Sequence, residues 1–185
     1  MYIAPVDRNC YHKKNNYEVA DMKTLYLIGR TMGAGKTTVC QHLKRLLPQA
    51  VFLDGDWCWD ADPFQVTEET KAMVMDNICH LVNNFLHCSA YENVIFCWVM
   101  HQQSILDDIL SRLDTENCSV RTISLICDET ALRERLQKDV DAGLRRADVI
   151  ERSVLRISMY EKLNTEKLNV SNISAQEAAA QIAGC

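Results

Sequence analysis

The chain has 185 residues, 48% of them apolar and 24% charged, with a formal net charge of −5, the balance of one folded domain rather than a disordered chain. The acidic excess argues against a nucleic-acid-coating surface, which carries a basic face, and no apolar run approaches the roughly 18 residues of a membrane span. The opening "MYIAPVDRNCYHKKNNYEVADMK" lacks the unbroken apolar stretch of a secretory signal.

Residues 1–22 are polar and irregular and read as an appendage, or an ordered extra segment, ahead of a domain over 23–185, with Met22 a candidate start. From Thr24 onward the pattern alternates. Short apolar runs at 25–29, 50–54, 93–100, 119–127 and, more weakly, 167–171 predict buried strands. Between them the spacing becomes helical. One helix follows Thr37, and another covers 67–88 with Val74, Ile78, Leu81, Val82 and Phe85 on one face. A third covers 102–113 with Ile105, Leu106, Ile109, Leu110 and Leu113 inward, and two more fall within 128–163. The last follows "SNISAQEAAAQI", where Ser174 and Glu177 form a capping box. Such alternation implies βαβ units and a parallel sheet covered on both faces, with ligands at the carboxyl ends of its strands.

The nine cysteines include no Cys-x-x-Cys pair, and several sit inside apolar runs such as "NVIFCWVM". They read as small buried hydrophobes of a reducing, cytoplasmic protein. The five histidines form no metal-ligand cluster.

The strongest motif lies at the exit of the first strand, "LYLIGRTMGAGKTT", which fits the end of the phosphate-binding pattern G-x-x-x-x-G-K-[ST]. Gly33, Ala34 and Gly35 turn backbone N–H groups inward around phosphate oxygens, with no Cβ at the two glycines. Lys36 brings positive charge to the β- and γ-phosphates, and Thr37 offers a hydroxyl to Mg²⁺. The helix that starts here, through Thr38, aims its positive end at the anion. The pattern's first glycine has slipped to position 29, leaving Arg30 in its place, which reads as a tolerated variant.

Downstream, "FLDGDWCWDADPF" sets Asp54 and Asp56 one residue apart. If the strand persists to Asp56 both carboxylates share a face; if Gly55 bends the chain, one faces magnesium and the other an acceptor. Either arrangement allows a carboxylate to orient a hydroxyl and accept its proton. Trp57 and Trp59 read as core or as a pocket wall, and His101 as a weaker pocket candidate.

With these stretches, "LRERLQKDVDAGLRRADVIERS" and "KLNVSNISAQEAAAQI", the chain resembles the small P-loop kinases of the shikimate/gluconate and nucleoside/nucleotide kinase type. The resemblance implies a three-layer α/β fold, a five-stranded parallel sheet in order 2-3-1-4-5, and a helical lid at about 133–152. It also implies ATP and Mg²⁺ as cofactors, an aspartate (Asp54 or Asp56) at the acceptor hydroxyl, and lid arginines on the phosphates, with Arg135 and Arg145 favoured by position. The third strand departs from the pattern by lacking an acidic residue at its end, so Thr37 and Asp54 are left to hold the metal. From Leu46 to Ser111 the only Lys or Arg is Lys71, against six acids between Asp54 and Glu69. An anionic acceptor would need arginines there. The expectation is therefore a kinase for a neutral or cationic small molecule such as a nucleoside, sugar-like compound or amino-alcohol. The alternatives are a nucleoside monophosphate kinase and a non-catalytic ATP-gated switch.

Overall fold

Five of the apolar runs become strands in the computed structural model, which describes residues 22–30 and 35–185. The expected appendage, all but Met22, and the phosphate-loop positions Gly33 and Ala34 lie outside the described residues. In chain order the elements are β1 (Lys23–Gly29), α1 (Lys36–Leu46), β2 (Ala50–Asp54), α2 (Glu68–His87), β3 (Asn93–Trp98), α3 (Gln103–Arg112) and β4 (Cys118–Ile126). Then come α4 (Glu129–Asp141), α5 (Asp148–Val154), α6 (Ile157–Glu161), β5 (Glu166–Asn169) and α7 (Ala175–Ala183). The strands pair in parallel in the order β2-β3-β1-β4-β5, the order the resemblance implies.

Strand side chains alternate between faces, and the chain uses both. Leu25, Leu27, Val94 and Phe96 pack under α2 and α3 with Val74, Ile78, Val82 and Ile109. Tyr26, Ile28, Ile95, Cys97, Ile123 and Leu125 face α1, α4 and α7. Full burial of an aliphatic or aromatic side chain of this size is worth about 1.5–3 kcal/mol, so each layer is held on by a row of such contacts. Cys40, Cys79, Cys97 and Cys127 are free thiols buried within these layers.

Two helices start from reciprocal caps. Ser174 and Glu177 make the expected box on α7, at 3.1 and 2.7 Å. Thr67 and Thr70 make an equivalent box on α2, which the pattern did not announce because the reciprocating residue is Thr rather than Glu or Gln. The span 128–163 holds three helices instead of two. The break at Leu155 and Arg156 contains no Gly or Pro, and both residues keep right-handed helical angles. The hydrogen bonds tighten there to three-residue spacing, as in Arg156 N–H to Ser153 O, so the chain bends without a sequence breaker.

Candidate active site

The site collects at the carboxyl edge of the sheet. Gly35 precedes α1 with φ +79°, a left-handed conformation that suits glycine. It carries the chain straight into Lys36, Thr37 and Thr38. The α1 N-terminus has no side-chain cap and no acid in its first turn, so its N–H groups and dipole are directed at whatever enters the cleft.

Seventeen residues later, β2 delivers Asp54 to the same place. The Thr37 hydroxyl donates to Asp54 Oδ2 at 2.6 Å, and Asp54 is only 3% exposed. Its other oxygen accepts the Asp56 N–H at 3.1 Å, starting a short 3-10 turn over Gly55–Cys58. Of the two arrangements open from sequence, the chain adopts the bend: the strand ends at Asp54 and the two carboxylates serve different neighbours. A hydroxyl and a carboxylate side by side are hard oxygen donors suited to Mg²⁺. Beyond β3 the chain reads Val99, Met100 and His101, with no carboxylate at that position.

Gly55 is required by packing. A Cβ there would lie 2.5 Å from Cγ and Cδ1 of Trp98. The same Trp98 side chain favours the charged form of Asp56, so one indole both closes the turn and acts on the acid. Asp56 is pushed above the ordinary carboxylate range by partial burial and by Asp54, while Lys36, Arg145 and Trp98 pull the other way. Trp98 escaped sequence reasoning, because it stands at the end of an apolar strand among residues that look like core.

The lid spreads its cations unevenly. Arg133 ties α4 to α5 by pairing with Glu129 and Glu151, and Arg152 pairs with Asp148 on its own helix. Arg145, after Gly143 (φ +70°), is held by Asp139 at 3.1 Å and is near enough to Asp56 to act on its titration. Arg135 stands elsewhere, donating to Val170 O at 2.8 Å and Ser171 O at 3.2 Å. It walls a cleft of about 410 Å³ whose lining includes Gly35, Thr38, Lys138 and Ser174. The geometry thus brings Lys36, Thr37, Asp54, Asp56 and Arg145 together and sets Arg135 at the other end of the cleft.

Arg30 is the largest departure from the sequence reading. Far from a tolerated variant at the strand exit, its side chain is 2% exposed, against Cys127 and in the field of Arg135. Burial brings its pKa down to about 10; Cys127 opposes the shift, and Arg135 adds a smaller push in the same direction as burial.

Beside the bent turn lies an aromatic surface. Trp57 meets Phe52 edge-on with ring centroids 5.3 Å apart, and Trp59 packs on Phe64 at 4.4 Å. Trp57 and Phe64 are each 59% exposed. The nearby acids face one local cation, Lys71, which is paired with Glu68 at 2.8 Å. His101 has a buried Nδ1 without a hydrogen-bond partner, and burial followed by Arg156 lowers its pKa.

Among the described residues no helix is long and apolar enough to cross a membrane. No curated protein matches the chain. Solved structures match along most of it. The tunicamycin resistance protein of Deinococcus radiodurans superposes with a TM-score of 0.65 at 18% identity, covering 88% of this chain and 94% of that one. The APS kinase of Mycobacterium tuberculosis, in complex with AMPPNP and APS, gives 0.65 at 14% identity over 88% and 96%. A gluconokinase of Sinorhizobium meliloti gives 0.60 at 14% identity over 88% and 95%. Residues 27–154, which run from β1 through the lid, match the AAA domain family. With its phosphate-binding motif and sheet order, the chain belongs to that family and has the fold of the P-loop kinases.

Proposed function

We propose that the protein is an ATP-dependent phosphotransferase that moves the γ-phosphoryl group to a hydroxyl of a small, neutral or cationic acceptor. The observation that carries this reading is the placement of Asp56: its amide is tied to the carboxylate that accepts from Thr37, and its own carboxylate lies in the field of Lys36 and Arg145. A group placed there accepts the acceptor's hydroxyl proton as its oxygen bonds to phosphorus and the β,γ P–O bond breaks. Lys36 and Arg145 offset the charge on the transferring oxygens. Thr37 and Asp54 would hold Mg²⁺, which neutralises phosphate charge when bound. The APS kinase and gluconokinase folds support a small-molecule acceptor.

The acceptor's charge follows from its surroundings. An anion about 5 Å from Asp54 and Asp56 would meet repulsion of a few kcal/mol at an effective dielectric near 20, and Lys71 is engaged with Glu68. The exposed Trp57 and Phe64 rings suit the apolar or cationic face of an acceptor. ADP release measured across a panel of nucleosides, polyols, amino-alcohols, nucleoside monophosphates and hydroxy-acids tests this. Turnover is expected with members of the first three groups and should stop in Asp56→Asn. Efficient use of a monophosphate or a hydroxy-acid overturns the charge assignment; slow, acceptor-independent hydrolysis favours the ATP-gated switch.

A further inference from the structure

Arg30 occupies the place of the phosphate loop's outer glycine, five residues before Gly35, and it does so as a buried cation. Its Nε and Nη2 atoms are sealed from solvent with no hydrogen-bond partner among the described residues. Unpaired donors on a buried charge are strongly unfavourable, so the position calls for an anionic partner. On one side the guanidinium meets Leu125, Cys127, Ile157 and Tyr160 around a void of about 10 Å³, at the lower limit of what one water needs. Cys127 offers only a sulfur, a weak acceptor. On the other side Arg30 borders the 410 Å³ cleft that Gly35, Thr38, Arg135 and Lys138 also line. Among the described residues, the open space that Arg30 borders is the cleft. Three cations and the uncapped start of α1 meet there, with Asp139 the acid in the lining, and Asp139 also pairs with Arg145.

We propose that Arg30 is a nucleotide-binding residue, its buried guanidinium donating to a phosphate oxygen of the nucleotide in the cleft. The glycine that ordinarily stands at this point of the loop has no side chain to offer, so this contact is a property of this chain. The inference rests on the nucleotide-binding reading above and adds a residue to it. In the free protein the guanidinium is a buried charge that desolvation and Arg135 disfavour and that only the Cys127 sulfur supports. Bound phosphate removes that penalty, so the two states should respond to loss of the charge with opposite signs.

The test compares the full-length wild-type protein with Arg30→Met and Arg30→Lys. The readouts are the thermal midpoint without nucleotide and, by calorimetry, the Kd for ADP, for a non-hydrolysable ATP analogue and for adenosine. Arg30→Met should melt at the same or a higher temperature than wild type when free, yet bind ADP and the analogue about tenfold or more weakly. Arg30→Lys should recover part of that loss, and adenosine affinity should not change. Unaltered ADP affinity in either folded variant overturns the proposal, as does an equal loss for adenosine and ADP. A lower free midpoint in Arg30→Met also overturns it, since it means that the guanidinium is satisfied inside the protein. If wild type itself fails to bind ADP or the analogue, the nucleotide reading falls and Arg30 with it. Binding by wild type with no change in the variants removes Arg30 alone.

Discussion

The Thr37 hydroxyl and the Asp54 carboxylate, seventeen residues apart in sequence, share a 2.6 Å hydrogen bond. The contact joins the first turn of α1 to the end of β2, and through Asp54 it reaches the Asp56 amide. Three functional positions are thereby fixed to one another by a single carboxylate. Asp54→Asn keeps the size of that side chain but not its charge. It should leave the fold intact, lower kcat by about two to three powers of ten, and raise the Mg²⁺ concentration needed for half-maximal activity. A magnesium titration of steady-state rate checks this, and an unchanged magnesium requirement would remove Asp54 from the metal's coordination.

Asp56 carries a prediction with a definite sign. Its folded-state pKa is raised, mainly by burial, so the folded protein binds this proton more tightly than the unfolded chain does. Its contribution to stability is fully present below the ordinary aspartate pKa and is lost as pH rises through the elevated folded value. Because Asp56 is solvent-exposed, water screens most of this effect, and Asp56→Asn should melt at or just above the wild-type temperature while abolishing transfer. As a proton acceptor Asp56 is useful only when ionised, so kcat should fall on acidification, starting above the ordinary aspartate range. Melting curves and a pH–rate profile on the two proteins test both statements.

Arg145 and Arg135 should separate kinetically. Arg145 acts on Asp56 through its charge, and Arg145→Ala should lower kcat by one to several powers of ten with a smaller change in nucleotide Kd. Arg135 holds the Val170 and Ser171 carbonyls at the far end of the cleft, so Arg135→Ala should weaken nucleotide binding more than it slows transfer. Equal losses in kcat and Kd for both variants would reduce the lid to a general electrostatic attraction.

Lys36 is 8% exposed at the start of α1. Lys36→Ala should preserve the melting temperature within a few degrees and remove most ATP affinity or turnover. Unchanged ATP binding and activity in the folded variant would reject the phosphate-loop assignment.

Gly55→Ala puts a methyl group 2.5 Å from the Trp98 ring, and overpacking of that kind costs about 1–3 kcal/mol. The indole must shift, and its influence on Asp56 shifts with it. Combining Gly55→Ala with Trp98→Ala should destabilise by less than the sum of the two single changes. Denaturant melts of the four proteins measure the difference.

Strands β1 to β4 were legible from sequence because each carries an apolar run that the sheet buries, and because a phosphate-binding motif ties the first of them to a helix. By contrast, β5 is a short edge strand with mostly exposed side chains. Ser174 and Glu177 announced their cap by residue type. Asp54 and Asp56 could be named as partners in chemistry, but only the observed bend at Gly55 decided between two arrangements, and that bend depends on Trp98 from a strand forty residues on. Arg30 defied reading for the same reason. Nothing local distinguishes an arginine that waves in solvent from one enclosed by Cys127, Ile157 and Tyr160, although the displaced glycine before it was a signal. The join between α5 and α6 has no breaker residue to reveal it.

The two apolar layers of the sheet divide the work of the cleft. The turn at 55–58 rests through Cys58 on the layer beneath α2 and α3, and Trp59 packs there too, whereas α1 and α7 rest on the opposite layer. Trp57, against Phe52, is where the two sides touch. Mutational drift can therefore recarve the wall that greets the acceptor without disturbing the helix that receives the phosphates. A lineage built on this plan can change what it modifies while keeping how it modifies it.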